Sequence, residues 1–490
     1  MPPSKGSKGC WTCKERKIAC DRQSPRCRIC LGSGRECKGY GMRLSWPRKD
    51  DRKRFLVATS RKRSNRSISL MAEFVNVFFS DIERLHDILD PSVKLTRISV
   101  LPRLTRNPGW MPFPLADAEA NLFSYYQNIV SPVLTSVNNP LVRNLLIRMS
   151  FSDGTPAAFA IIYSIFALAS IHLMDRSGAQ MYKSKAINAI RASAAQRDEL
   201  RRIVAVNLLA MFETLVTTDT PPGWTRCICF SKTASIATCD LDQPHTGDLA
   251  LVLDWVYYFD VLSKFSVLHY DRREQCALDC AKREHLMVAA MNSPDMTNIV
   301  PTLGCSLEVW GTISSLINTM LNMQEDDDPH TEALNRLERR LKYAEQDIKV
   351  EELDSNSLDK MQQTRDIAEL YRLAALIYLN RAGYNTAISN PALQTITESA
   401  FAILDKLHTC ERTFPLFIVS CEARTDVQRA TVLRLMNTTR TRFAATNIMR
   451  VHGYVERFWA LDELDVGRDT EYADKVTAVL SSREAIPVFA

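Results

Sequence analysis

Six cysteines lie within the first 37 residues of the chain, and they are the side chains best suited to chemistry. Their spacing is C-x2-C-x6-C-x6-C-x2-C-x6-C, so that the unit C-x2-C-x6-C occurs twice, 17 positions apart. A C-x2-C pair on a turn can place two sulfurs on one tetrahedral ion, and thiolates are common ligands of structural zinc. The spacing therefore predicts a metal site made by Cys10, Cys13, Cys20, Cys27, Cys30 and Cys37.

The number of cysteines predicts how many ions they hold. Two tetrahedral zinc ions need eight bonds, which six sulfurs supply if two of them bridge. A closed all-sulfur centre has no position for a substrate water, so the predicted zinc is structural and not catalytic. The start of the sequence, MPPSKGSKGC, lacks the apolar segment of a secretory signal, which favours metal ligation over disulfide bonds. We expect the eight other cysteines to be mostly small buried side chains.

The two halves of the cysteine unit differ in charge. Between its second and third cysteines the second half has Arg35, which Glu36 offsets, whereas the first half has three basic residues: Lys14, Arg16 and Lys17. Arginine and lysine donate to O6 and N7 of guanine in the major groove, so the first half is predicted to read bases. We expect three further basic residues to contact phosphates instead: Arg22, Arg26 and Arg28.

Charge is distributed unevenly along the chain. Residues 1–66 contain 20 Lys+Arg and 5 Asp+Glu, a net charge of +15, whereas the remaining residues carry −9. A basic arm on an acidic body indicates one nucleic-acid-binding end. Within that arm, two basic runs are interpreted as a nuclear-import signal, additional phosphate contacts or a solvated linker: Arg52, Lys53 and Arg54, then Arg61, Lys62 and Arg63.

The rest of the chain is predicted to be mostly α-helical. Apolar residues step by three and four from Met71 to Leu89, and similar stripes cover 121–130, 140–149, 202–216, 334–348 and 367–379. The Met71–Leu89 stripe would either pack on the helical domain or form a short coiled coil, which leaves monomer and dimer open. The uncharged stretch 157–174 barely reaches membrane-spanning length and contains polar residues, so we expect a buried helix and no membrane association.

These patterns divide the chain into four predicted segments. Residues 1–9 form a disordered N-terminus, 10–37 the zinc cluster, 38–70 a basic linker and 71–490 a large all-α domain. The motifs H-E-x-x-H, G-x-S-x-G, the P-loop and the dinucleotide fingerprint do not occur, so we expect no catalytic residues and no enzyme. Cys276 and Cys280, with His269 and His285 nearby, could form a second metal site, although ordinary core packing is the preferred interpretation.

The cysteine unit resembles the fungal-type binuclear zinc cluster, the six-cysteine DNA-binding domain of fungal transcription factors. All six cysteines match in order and spacing, as do the basic run after Cys13 and the residue Pro25. The resemblance implies that Cys10 and Cys27 are the bridging ligands of two zinc ions. It also implies that Arg16 and Lys17, at the end of the first short helix, contact a CGG-like triplet of double-stranded DNA.

Sequence beyond the cluster agrees with the resemblance and adds one departure from it. Residues 39–46 resemble the segment that follows the cluster in a subgroup with a helical, fungal-specific regulatory domain, and 121–126, 157–173 and 369–379 resemble helices of that domain. Glu15 departs from the pattern, because it places an acid within the basic run.

Together these features predict a nuclear, sequence-specific transcription factor for RNA polymerase II genes, acting on a pathway or a biosynthetic gene cluster. Its helical domain would bind a small-molecule effector, mask the zinc cluster or dock the transcription machinery, and homodimerisation stays open. The alternative is a metabolite-binding or scaffold protein whose cluster has lost specific DNA binding.

Overall fold

The computed structural model describes residues 9–23, 25–40, 113–134, 140–196, 198–216, 223–238, 245–270, 296–322, 328–348, 358–443, 446–464, 471–482 and 489. The predicted helix at Met71–Leu89 and both basic runs of the predicted import signal lie outside these residues. The chain divides into two compact units, Met1–Val100 and Leu101–Ala490. In the first unit, each half of the cysteine repeat forms one short helix, α1 at Trp11–Glu15 and α2 at Arg28–Gly32.

The second unit is helical, as the apolar stripes predict. Its first helices are α3 (Asp117–Tyr125), α4 (Pro140–Phe151), α5 (Pro156–His172), α6 (Arg176–Ala192), α7 (Glu199–Leu215), α8 (Gly223–Thr238) and α9 (Gly247–Leu268). They are followed by α10 (Leu307–Leu321), α11 (Asp328–Tyr343), α12 (Leu358–Tyr378), α13 (Pro391–Lys406), α14 (Thr413–Cys421), α15 (Asp426–Phe443), α16 (Thr446–Leu464) and α17 (Tyr472–Leu480). Shorter π and 3-10 segments occupy Tyr126–Val130, Ser131–Val133, Ser193–Gln196 and Leu379–Gly383.

Helix α5 is buried on nearly all sides, because α3, α4, α6 and α7 pack around it. It begins where Thr155 accepts a hydrogen bond from the backbone N–H of Ala158 and where Pro156 occupies the first helical position. A helix that is apolar all round belongs inside a protein core, which confirms the prediction made from its composition. In the part of the chain that the structure describes, no helix is both long and apolar enough to cross a membrane.

Aromatic side chains join α9, α10 and α12 into one continuous core. The ring of Trp310 stacks on Tyr258 at 5.2 Å and meets Tyr371 edge-on at 5.6 Å. Phe265 contacts Tyr378 edge-on at 5.5 Å between ring centroids. Such pairs each add about 0.5–1.5 kcal/mol beyond the area that they bury. The rings therefore fix how these three helices pack.

His269 ends α9 inside the core and does not serve as a free metal ligand. Its Nε2 lies 2.6 Å from the Tyr378 hydroxyl and its Nδ1 lies 3.1 Å from Thr477 Oγ1, so both ring nitrogens are engaged. Burial lowers the pKa of His269 to about 3, which keeps the ring neutral. The core interpretation fits His269, whereas the other members of the suggested second metal site, Cys276, Cys280 and His285, lie outside the described residues.

One predicted helix is shorter than its apolar stripe. The stripe runs to Ile348, but α11 ends at Tyr343. The following residues run extended, since the backbone N–H of Ile299 donates to Asp347 O at 2.8 Å and that of Asp347 donates to Thr297 O at 2.9 Å. This pairing lies beside a two-residue antiparallel hairpin, β1 at Ile299–Val300 and β2 at Cys305–Ser306. Backbone pairing thus replaces the last predicted helical turn.

Of the five cysteines of the second unit that the structure describes, three are buried, as predicted for most of them. Cys305, Cys410 and Cys421 are fully enclosed, and burial raises the pKa of all three thiols, that of Cys410 to about 12. Cys229 differs, because it forms a disulfide bond.

Candidate metal centre and nucleic-acid interface

In the described part of the first unit, a cysteine stands at the start of both α1 and α2. Cys10 caps α1, where its sulfur accepts a hydrogen bond from the backbone N–H of Cys13 at 3.4 Å. Cys27 caps α2 in the same way, accepting from Cys30 N–H at 3.3 Å. Each C-x2-C pair is thus wound around one helical turn, which turns both of its sulfurs inward. Cys10, Cys13, Cys27 and Cys30 are completely buried.

The distances between sulfurs match the edge of a zinc tetrahedron. Zinc–sulfur bonds of about 2.3 Å in tetrahedral geometry place neighbouring sulfurs about 3.8 Å apart. The Cys10 and Cys30 sulfurs are 3.7 Å apart, those of Cys13 and Cys27 also 3.7 Å, and those of Cys10 and Cys27 3.5 Å. The donor set therefore fits zinc in both chemistry and spacing.

The six cysteines form two overlapping groups of four. One group contains Cys10, Cys27, Cys30 and Cys37, and the other contains Cys10, Cys13, Cys20 and Cys27. Within each group the sulfurs all lie within 4.8 Å of one another, and each group could hold one metal ion. Cys10 and Cys27 belong to both, which is the sharing that two ions on six sulfurs require.

Backbone amides support the thiolates at the outer ends of the cluster. The sulfur of Cys20 accepts hydrogen bonds from the N–H groups of Cys10 at 3.3 Å and Arg22 at 3.4 Å. Burial would raise the pKa of Cys20, but these hydrogen bonds outweigh it and lower the pKa to about 6. Backbone N–H groups of Cys27 and Gly39 likewise lower the pKa of Cys37 to about 7.

Burial has the opposite effect on the inner cysteines. It raises the pKa of Cys10 to about 12 and also raises the pKa values of Cys13 and Cys27. Inner thiolates therefore need a nearby positive charge to persist at neutral pH, and a bound divalent cation would supply it. The cysteine cluster at residues 10–37 is too small for an apolar core that would fold it by burial alone, so we expect metal binding and folding to be coupled.

Three residues that sequence reasoning missed also hold the cluster together. Gly9 lies so close to the third cysteine that a Cβ at this position would come within 2.6 Å of Cys20 Cβ. Thr12 Oγ1 donates to Glu36 O and accepts from the Lys38 N–H, both at 3.0 Å, which ties α1 to the end of the second half. The Tyr40 hydroxyl donates to Gln23 O at 2.9 Å and lies 3.8 Å from Cys20 Sγ. These contacts join residues that are far apart in sequence, so no local sequence pattern predicts them.

The basic residues predicted to contact DNA all lie on the surface of this unit. Lys14, Arg16, Lys17, Arg22, Arg26 and Arg28 are exposed. Lys14 and Arg22 share a shallow groove of about 310 Å³, lined as well by Ile18 and Cys20. The Lys14 ammonium also lies 4.5 Å above the Trp11 ring, and Arg16 Nη1 donates to Ser33 Oγ at 3.3 Å. The first half therefore presents a basic surface next to α1.

Two of these basic residues adopt a backbone conformation that normally favours glycine. Lys17 has φ of +56° and Arg22 has φ of +58°. The positions 17 residues later, in the second half, are Gly34 with φ of +65° and Gly39 with φ of +68°. Both halves thus use the same left-handed turns, but the first half places cationic side chains there despite the strain.

Glu15 forms an ion pair with a lysine of the same unit. Its carboxylate lies 2.7 Å from the Lys38 ammonium, and both side chains are about half exposed. Such a surface ion pair adds little stability, but it holds the carboxylate of Glu15 next to Lys38. The acid in the basic run therefore has a structural partner.

Comparison with known proteins finds a matching domain family for each unit. Residues 121–476 match the model of the fungal specific transcription factor domain, and residues 8–47 match the fungal Zn(2)-Cys(6) binuclear cluster domain. The chain is 25% identical to transcription factor iacI of Pestalotiopsis fici over 390 residues, which is 78% of this chain and 97% of that protein. No solved structure matches the chain.

Two further relatives match over short stretches of the chain. The arginine metabolism regulation protein II of Saccharomyces cerevisiae is 44% identical over 46 residues, 9% of this chain and 5% of that protein. The aspercryptin biosynthesis cluster-specific transcription regulator of Emericella nidulans is 44% identical over 43 residues, 8% and 7% of the two chains. These matched proteins are transcription regulators and not enzymes. The chain belongs to the family with the fungal specific transcription factor domain and carries a Zn(2)-Cys(6) cluster domain before it.

Proposed function

We propose that this chain is a nuclear transcription factor that binds double-stranded DNA at CGG-type sites and regulates RNA polymerase II genes. The observation that carries the proposal is the pair of four-cysteine groups that share Cys10 and Cys27 beside exposed basic residues at the end of α1 and just after it. In this proposal all six cysteines bind two zinc ions, with Cys10 and Cys27 bridging. The zinc ions hold the fold, and the protein's own side chains read the DNA.

Each basic residue has a proposed role that follows from its position. Arg16 and Lys17 follow the last residue of α1, where their donors can reach guanine O6 and N7 in the major groove. Lys14 lies two residues before Arg16 and supports the same contact. Arg22, Arg26 and Arg28 bind phosphates, which fixes the orientation of the unit on the duplex.

The remaining parts of the chain position and regulate the DNA-binding zinc cluster. The basic runs at 52–54 and 61–63 promote nuclear import and add phosphate contacts. The second unit, the helical body of the protein, responds to a small-molecule effector or docks the transcription machinery. A homodimer would read two triplets at a fixed spacing, whereas a monomer would read one.

Selection from a randomised DNA pool tests the proposal. The purified full chain, with and without a zinc chelator, would be incubated with random duplexes and the bound DNA sequenced. We expect enrichment of CGG-containing sites that disappears with the chelator. Lys17→Ala should weaken this selection, whereas Arg35→Ala, which removes the basic residue between Cys30 and Cys37, should preserve it.

The outcomes separate the two functions considered. Loss of selection in Arg35→Ala but not in Lys17→Ala would show that the second half, and not the first, reads the bases. Zinc-loaded protein that selects no sequence would instead favour a metabolite-binding or scaffold protein whose cluster has lost specific DNA binding.

A further inference from the structure

The side chain of Ser33 connects the two halves of the cysteine cluster at equivalent positions of the repeat. Arg16 and Ser33 lie 17 positions apart, which is the offset of the cysteine repeat, and they are the C-cap residues of α1 and α2. Arg16 Nη1 donates a hydrogen bond to Ser33 Oγ at 3.3 Å. The ends of the two short helices are therefore joined by one arginine and one serine.

The Ser33 hydroxyl is itself held by the end of α2. Its Oγ lies 2.8 Å from Ile29 O and 3.1 Å from Cys30 O, so its single proton is donated to the helix carbonyls. The Oγ lone pairs remain to accept from Arg16. Cys30 also supplies one of the sulfurs that could bind metal, so the backbone that holds this hydroxyl is part of the cluster. Ser33 is thus a fixed acceptor and not a freely rotating hydroxyl.

Arg16 gains from such an anchor because its side chain is long and exposed. An arginine loses rotational freedom when it is held in one orientation, and this loss weakens binding if it occurs only when the DNA arrives. A guanidinium has five N–H donors in a rigid planar fork, and the hydrogen bond to Ser33 uses one of them. The remaining donors can point toward the O6 and N7 acceptors of guanine. The contact with Ser33 therefore orients Arg16 before it meets a base.

We propose that Ser33 is a positioning residue for base recognition, which acts by holding the guanidinium of Arg16 in the orientation that reads guanine. This inference rests on the proposed function and deepens it, because it gives the second half of the cluster a part in reading the triplet. Equivalent positions of the repeat have divided their roles, so that Arg16 donates to the DNA and Ser33 supports it.

A double-mutant cycle in the full chain tests the proposal. Affinities for a CGG duplex, and for a duplex in which another triplet replaces CGG, would be measured with the unmodified chain, Ser33→Ala, Arg16→Ala and the double variant. We expect Ser33→Ala to lower affinity for the CGG duplex by about three- to tenfold and to leave affinity for the other duplex unchanged. In the Arg16→Ala background, the same change should cause no further loss. Ser33→Thr, which keeps the hydroxyl, should restore the affinity.

The cycle separates positioning of Arg16 from the hydrogen bonds that Ser33 makes to α2. An equal loss in both backgrounds would show that Ser33 acts only through α2, and unchanged or tighter binding by Ser33→Ala would show that its contact with Arg16 does not help recognition. Either result would overturn the proposal. Zinc content is measured for each variant. If Ser33→Ala releases zinc, Ser33→Val is compared with Ser33→Thr instead, because these two side chains have the same shape and differ in the hydroxyl.

A measurement without DNA distinguishes this inference from the proposed function. Nitrogen-15 relaxation of arginine Nε in the full chain reports the mobility of each guanidinium, and the Arg16 signal is identified by its loss in Arg16→Ala. We expect Arg16 to be more mobile in Ser33→Ala than in the unmodified chain, and equal mobility would overturn the positioning role. An unmodified, zinc-loaded chain that shows no CGG preference would instead overturn the proposed function, whatever the Arg16 signal shows.

Discussion

At the scale of single residues, Lys17 shows a conflict between backbone preference and side-chain function. A left-handed conformation costs a lysine about 1–2 kcal/mol relative to the ordinary helical region. Gly34, the equivalent residue of the second half, adopts the same turn with φ of +65° and without that cost. The fold of the cluster does not require a cation at this position, and the proposed function explains it by the contact that Lys17 would make with DNA.

Exchange of residues between the two halves tests this explanation. We expect Lys17→Gly to stabilise the zinc-loaded cluster by up to about 1–2 kcal/mol, because glycine relieves the left-handed strain, while specific DNA binding weakens by about 1–3 kcal/mol. Gly34→Ala should do the reverse, losing about 1–2 kcal/mol of cluster stability while retaining base preference. Chelator-induced zinc release and DNA titrations would measure the two effects. A Lys17→Gly cluster that releases zinc more readily than Gly34→Ala would contradict the assignment.

His269 gives the helical body a specific response to acid. Its folded-state pKa of about 3 lies below the usual value of 6.5, so the unfolded chain binds this proton first as the pH falls. As the pH falls from 6.5 to 3, we expect the contribution of His269 to the free energy of unfolding to decrease by about 1.4 kcal/mol per pH unit. Urea unfolding of the full chain and of His269→Gln at pH 7, 6 and 5 would measure it. Equal pH slopes in both proteins would show that His269 is not held neutral.

At the scale of elements, α1 and α2 depend on shared sulfurs. Cys20→Ala leaves one of the four-cysteine groups with three members, so we expect the variant to lose zinc and the fold of the first unit. Metal analysis of the full chain should give two zinc ions, and fewer in Cys20→Ala. Cys305→Ala, which removes a buried thiol of the second unit, should retain both ions. A Cys20→Ala protein that keeps two ions and binds DNA normally would refute the proposed ligand set.

The elements also show what can be predicted from sequence. The apolar composition of 157–174 is enough to identify α5, and the repeated cysteine spacing is enough to group the six sulfurs as one site, because both signals are local. The predicted end of α11 is wrong, since the pairing of Asp347 with a segment nearly 50 residues earlier overrides the apolar stripe. Gly9, Thr12 and Tyr40 escape prediction for the same reason, and the left-handed turns at Lys17 and Arg22 occur at residues that rarely adopt them.

At the scale of the whole molecule, the uneven charge predicts a salt effect. The net charge of +15 on residues 1–66 includes the basic runs at 52–54 and 61–63. We expect deletion of residues 48–66 to flatten the dependence of DNA affinity on salt, by about 0.9 in log–log slope for each phosphate that the shortened chain no longer neutralises. CGG preference should remain. Titrations of both proteins at several salt concentrations would measure the slopes, and identical slopes would show that this segment stays off the DNA.

The sharing of Cys10 and Cys27 has a consequence for the living cell. If Cys10 and Cys27 bridge two zinc ions as proposed, loss of either thiolate, by oxidation or by competition for metal, would remove a ligand from both ions at once. The two ions would then leave together, and occupancy would follow the supply of free zinc with a steep threshold instead of a gradual decline. In the proposed function, the cell's metal and redox status would thus decide whether the regulator can engage its genes at all.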